Sequence, residues 1–66
     1  MEVIANGRAV QIPDQATVAD LLSSLDLNGR VVVVERNGEP VDRSKVAATP
    51  LVDGDRCEIV RAVAGG

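Results

Sequence analysis

Residues 1–25, MEVIANGRAVQIPDQATVADLLSSL, carry two hydrophobic periods joined by a break. The first has period two. Met1, Val3 and Ala5 point to one side, and Glu2, Ile4 and Asn6 to the other. Arg8 to Ile12 alternates again, with Val10 and Ile12 on one face. Between the two runs stands Asn6-Gly7. Both positions of a two-residue hairpin turn need positive φ, which Asn and Gly tolerate. The chain is therefore expected to open with a β-hairpin. Pro13-Asp14-Gln15-Ala16 breaks the pattern, and the period then changes. Val18, Leu21, Leu22 and Leu25 fall at helical spacing and form one apolar stripe. Thr17 and Asp20 have the spacing of a capping box. Asn28-Gly29 is the expected left-handed terminator. A helix of about ten residues is marginal alone in water, so it must pack on a sheet.

The rest of the chain supplies that sheet. Arg30 to Arg36 holds four consecutive Val, a β-branched run expected to be a strand covered at least in part on both faces. Asn37-Gly38 is a second hairpin signal. Glu39-Pro40-Val41 is a short strand, and Pro40 suits a sheet edge. Asp42 to Pro50 reads as irregular with one 3₁₀ turn, Leu51-Val52 as a strand fragment and Asp53-Gly54-Asp55 as a turn. Arg56 to Ala64 is the last strand, with Cys57, Ile59 and Val63 inward. The fold class is α+β: a four- or five-stranded mixed sheet with one main helix on one face. The first and last strands are expected to be central, parallel neighbours. Residues 1–64 read as one domain and 65–66 as a C-terminal Gly-Gly tail.

Composition narrows the chemistry. The 66 residues contain no His and one Cys, so there is no imidazole base, no internal disulfide and no CxxC zinc site. The absence of Phe, Tyr and Trp removes any aromatic platform for stacking bases. The net charge of −3 argues against nucleic acid and anionic membranes as partners. No basic segment followed by an apolar one opens the chain, so a cytoplasmic location is expected. No Gly-rich loop leads into Lys-Ser or Lys-Thr, so the chain has no nucleotide site of its own.

Gly65-Gly66 is the most informative feature left. A Gly pair at a terminus can be an inert tail. Here it follows a patterned strand directly, with Ala62, Val63 and Ala64 tapering in size. Lacking Cβ atoms, such a tail can enter a narrow channel in another protein. It can deliver one group there, the α-carboxylate of Gly66. A carboxylate is a poor electrophile and becomes reactive as an acyl-adenylate. Cys57 is the rival, but a persulfide carrier needs an exposed thiolate. Cys57 lies mid-strand at an inward position and reads as core. Asp53 and Asp55 could hold a cation, yet Asp-Gly-Asp is a common turn. Glu39, Asp42 and Arg43 read as a solvated loop or a partner-facing rim. Val60, Ala62 and Val63 form a candidate docking face beside the tail, with burial under the helix as the competing reading for some of them.

These pieces together resemble the ThiS family of sulfur carriers, ubiquitin-like β-grasp proteins of thiamin thiazole biosynthesis. The resemblance rests on the Asn6-Gly7 hairpin, Thr17-Val18 leading into Leu21-Leu22, VERNGEPVDRS (Val34 to Ser44), Thr49-x-Leu51-x-Asp53-Gly54-Asp55, and the run from Glu58 to Gly66. It covers nearly the whole chain. Val46 departs from the pattern, standing where many members carry an aromatic residue. The resemblance implies a β-grasp fold and a protein that is not itself an enzyme. It implies that a ThiF-like adenylating enzyme, using ATP and Mg²⁺ that this chain does not bind, converts Gly66 to an acyl-adenylate, with Gly65 as its steric companion. Sulfur from a cysteine desulfurase system then gives a thiocarboxylate, from which thiazole synthase takes the sulfur. Three alternatives stay open: a sulfur carrier of another pathway, of the molybdopterin synthase small-subunit type; a ubiquitin-like modifier joined to Lys side chains; and an interaction module with an inert tail.

Overall fold

A computed structural model describes residues 1–27 and 30–61. Among these, five strands form one sheet. They are β1 (Glu2–Ala5), β2 (Arg8–Gln11), β3 (Val32–Arg36), β4 (Glu39–Val41) and β5 (Arg56–Arg61). The order is β2-β1-β5-β3-β4. β1 runs parallel to β5, and the other pairs are antiparallel. The first and last strands are thus central neighbours, as the order of elements predicts. Pro40 lies on the edge strand β4, where its missing N–H costs no ladder bond.

Both Asn-Gly turns form as read. Asn6 and Gly7 have φ of 51° and 81°, and Asn37 and Gly38 have 52° and 84°. Register follows from the alternation. Val3 and Ala5 on β1, Val34 on β3, and Cys57 and Ile59 on β5 face inward and are buried.

Helix α1 (Val18–Ser24) closes that inner face with Val18, Leu21 and Leu22 buried. Its start is the predicted capping box. The Asp20 N–H donates to Thr17 Oγ1 at 3.2 Å, and the Thr17 N–H donates to Asp20 Oδ2 at 2.8 Å. Its end comes earlier than expected. Asp26, at φ 59°, supplies the left-handed residue. The Asp26 N–H donates to the Ser23 carbonyl at 3.1 Å and the Leu27 N–H to the Leu22 carbonyl at 2.8 Å, a Schellman closure. The helix is therefore seven residues long, and Asn28-Gly29, the expected terminator, lies outside the described residues.

Two further expectations change. Leu51-Val52 is not a strand. This segment instead stitches the helix entry to the body through an isolated bridge between Thr17 and Pro50, with the Val18 N–H on the Thr49 carbonyl (3.0 Å) and the Leu51 N–H on the Ala16 carbonyl (2.9 Å). The Val run is not covered on both faces. Val34 is buried, but Val31 and Val33 are about half exposed, because the only helical elements among the described residues lie on the inner side. The loop after β4 contains the expected 3₁₀ segment, Arg43–Ala48, from which Val46 packs partly buried against the core.

Candidate functional site

The strand that leads to the C-terminal Gly pair is held on both edges. Toward β3, β5 pairs from Cys57 with Arg36 to Arg61 with Val32. Toward β1 the backbone ladder is short, covering Ile4 with Arg56 and Ala5 with Cys57. The Asn6 side chain extends it. Its Nδ2 donates to the Ile59 carbonyl at 2.9 Å, and its Oδ1 accepts from the Ile59 N–H at 2.7 Å. One amide thus replaces a missing strand residue. The turn chemistry of Asn6 was legible in the sequence, but this second role was not, because it depends on a residue 53 positions away.

The start of β5 is fixed by Asp55, which is buried. Its carboxylate accepts from Arg36 Nε (2.8 Å), Asn37 Nδ2 (3.0 Å) and the Val52 N–H (2.8 Å). Burial alone would raise the Asp55 pKa. The Val52, Asn37 and Arg36 contacts outweigh burial and hold it below the ordinary value. Asn37 also accepts from the Arg56 N–H at 2.9 Å. Asp53 accepts from the Glu2 N–H at 2.8 Å. Both acids of the Asp-Gly-Asp turn are therefore occupied by protein donors, and Gly54 at φ 87° turns the chain between them. Among the described residues no cluster of three or more metal-ligating side chains forms.

Cys57 is buried at 1% exposure, as its inward position predicts. Burial pushes its thiol pKa up, the Asp55 and Glu58 charges add to this, and the Arg36 charge opposes it. A buried thiol held in its neutral form is a poor nucleophile and a poor persulfide carrier.

The outer sheet face is different. Val33 and Val60 are direct register partners, exposed by 56% and 63%. Beside them Glu35 sits directly opposite Glu58, and both are exposed. Like charges placed directly across a ladder cost stability. Val60 is thus on the surface, as a docking residue must be. Ala62 and Val63, the other two members of the predicted docking face, lie outside the described residues, as do Gly65 and Gly66. Glu39, Asp42 and Arg43 are exposed around β4 and the loop after it. The acidic pair Glu35 and Glu58 escaped the sequence reading because its juxtaposition is a matter of register alone.

The described body pairs β5 on both edges and carries an apolar surface patch edged with acids. Among its residues the one thiol is sealed. The model of the ThiS family matches residues 1–66. The sulfur carrier protein ThiS of Bacillus subtilis is 40% identical over 62 residues, 92% of this chain and 94% of that protein. A thiazole synthase of Paramagnetospirillum magneticum is 39% identical over 66 residues, which is all of this chain and 20% of that protein. The chain therefore spans only a fifth of that synthase's length. Among solved structures, the crystal structure of the thiamine biosynthesis protein ThiS of Geobacter metallireducens superposes with a TM-score of 0.83 at 33% identity, covering both chains completely. The solution structure of a thiamine biosynthesis protein from the same organism gives 0.79 at 35% identity, over all of this chain and 88% of that one.

Proposed function

The chain belongs to the ThiS family, and on that premise we propose that it is a sulfur carrier of thiamine biosynthesis whose working group is the α-carboxylate of Gly66. It is a co-substrate and not an enzyme. A ThiF-like enzyme, working with ATP and Mg²⁺, joins the Gly66 carboxylate to AMP and releases pyrophosphate. The terminal sulfur of a persulfide from a cysteine desulfurase system attacks the acyl carbon and displaces AMP. A thiol then cleaves the resulting acyl disulfide, leaving the thiocarboxylate on Gly66 and a disulfide on the donor. Thiazole synthase then takes the sulfur, and Gly66 returns to a carboxylate. Covalent attachment keeps reactive sulfide out of solution. We place this chemistry in the cytoplasm, where ATP is at hand.

The observation that carries the reading is the family match along residues 1–66, ending in Gly65-Gly66. The sealed Cys57 supports it by removing the competing sulfur site among the described residues. Double-edged pairing of β5 supports it too, since a carrier must present its end from a fixed base. A segment like this chain within a thiazole synthase favours thiazole synthase as the sulfur acceptor. Val60 and Val33, with Glu35 and Glu58, offer the activating enzyme an apolar patch with acidic neighbours. In this reading Ala62 and Val63 extend that docking face toward the tail.

The test is activation by a ThiF-like enzyme. Deleting Gly66, or adding one residue beyond it, should leave the thermal melt unchanged. Either change should abolish pyrophosphate release, because the partner must align one carboxylate with an ATP phosphate to within about an ångström. Gly65→Val should fold normally and activate poorly, since a β-branched side chain stiffens and widens the tail. Full activation of the Gly66-deleted chain would overturn the carrier reading. With the unaltered chain, the sulfur-loaded product should show a sulfur-for-oxygen increase in intact mass.

A further inference from the structure

The seven-residue helix leaves part of the inner sheet face uncovered. Along the flank of the helix, between it and the β3–β4 edge, lies a cleft of about 200 Å³. Its walls are aliphatic: Ala19 and Leu22 on α1, Leu27 after it, Val32 and Val34 on β3, Val41 on β4 and Val46 in the 3₁₀ segment. Two guanidinium side chains, Arg30 and Arg43, complete the lining. Both residues are exposed, and neither forms an ion pair among the described residues.

We propose that this cleft is a docking site for an acidic segment of a partner protein, which inserts an aromatic side chain between α1 and the β3–β4 edge.

Size, walls and charge each select that occupant. An aliphatic cavity of about 150 Å³ already holds a benzene ring, so this one has room for a single aromatic side chain. The chain has no aromatic residue of its own, so a second copy cannot supply the ring. The cleft opens to solvent. A side chain can therefore enter while the backbone that carries it stays outside, where its neighbours meet Arg30 and Arg43. Those two cations stand out in a chain of net charge −3 and favour Asp or Glu beside the inserted ring. The hollow next to it, which shares Val41, sets Arg36 and Lys45 against Glu39 and Asp42, whereas no acidic residue lines the cleft beside Arg30 and Arg43. The site lies on the inner side of the sheet, opposite Val33 and Val60. A carrier docked through its outer face would keep it open.

The experiment needs only this chain and a blocked Asp-Phe-Glu tripeptide, so its outcome is independent of the carrier reading. Amide and methyl shifts are followed by NMR as the peptide is added. Saturable shifts should centre on Ala19, Leu22, Val32, Val41 and Val46. Replacing the peptide's Phe by Ala should weaken binding by about tenfold or more, as loss of a buried aromatic anchor does. Val46→Phe should fill the cleft from within and block binding, with the melt checked beside it. The surface double variant Arg30→Gln, Arg43→Gln avoids any doubt about folding. It should weaken binding several-fold and flatten its salt dependence. Shifts elsewhere, equal binding of the Ala peptide, or unaltered binding by a folded Val46→Phe chain would overturn the proposal. Free phenylacetate binding as tightly as the tripeptide would also overturn it, since the site would then be one for a small molecule.

Discussion

Asp55 ties the second hairpin turn to the start of β5. It sits beneath the second Asn-Gly turn, takes the Arg36 guanidinium and the Asn37 amide, and fixes the start of the central strand. Its pKa is lowered on folding, because the bonds from Val52, Asn37 and Arg36 outweigh the burial that would raise it. The sign of the pH effect follows. The stabilisation is fully present above the unfolded carboxylate value of about 4 and is lost as pH falls through the lower folded value. Asp55→Asn should cost roughly 1.5–3 kcal/mol near neutrality, the range for a hydrogen bond to a charged group. In urea unfolding followed by circular dichroism, the gap between the two proteins should narrow as pH drops below about 4. A gap that stays constant would mean that the charge on Asp55 contributes nothing. The sequence showed Asp55 as a turn residue. Its burial was invisible there, because Arg36 lies 19 residues away and meets it only through strand pairing.

Helix α1 is short for its task, and its caps compensate. At seven residues it depends on the Thr17–Asp20 box, the Schellman closure at Asp26 and the Leu stripe. Thr17→Ala should cost about 1 kcal/mol. Leu21 is completely buried, whereas Leu22 is buried but borders the open cleft. Leu21→Ala and Leu22→Ala should both fall within roughly 2–5 kcal/mol, with Leu21→Ala the larger. Leu22 already lacks packing partners on its cleft side and has less to lose. Chemical denaturation read by circular dichroism measures the difference, since the chain has no aromatic fluorophore. A larger loss at Leu22 would mean that the cleft is closed in solution. The capping box was legible from two residues. The early stop was not, because Asp has no strong preference for positive φ, and the Asn28-Gly29 pair offered a more conventional terminator.

At the scale of the molecule, the sheet separates two duties. Its inner face carries the helix and the core, and its outer face carries Val33, Val60, Glu35 and Glu58 in the open. Val60→Lys distinguishes stability from docking by sign. A cation beside Glu58 and diagonal to Glu35 relieves their repulsion, so the melt should hold or rise slightly. The same change removes apolar surface from the proposed docking face, so activation by a ThiF-like enzyme should fall, mainly through a raised KM. Unchanged KM in a folded Val60→Lys chain would remove this face from the docking surface.

The sequence by itself determined the local elements. Asn-Gly turns, a capping box and alternating strands each express their chemistry within a few residues, so each was readable in place. It also determined the parallel pairing of the first and last strands, since one helix between two hairpins leaves few ways to close a small sheet. Tertiary structure decided what depends on residues far apart in the chain. The Asn6 amide on Ile59, the Arg36–Asp55 pair, the facing Glu35 and Glu58, and the cleft between the helix and the β3–β4 edge all arise from register and packing. A run of four valines cannot declare which of its faces will be covered. Only the placement of the helix on one side of the sheet decides that Val34 is core and Val33 is surface.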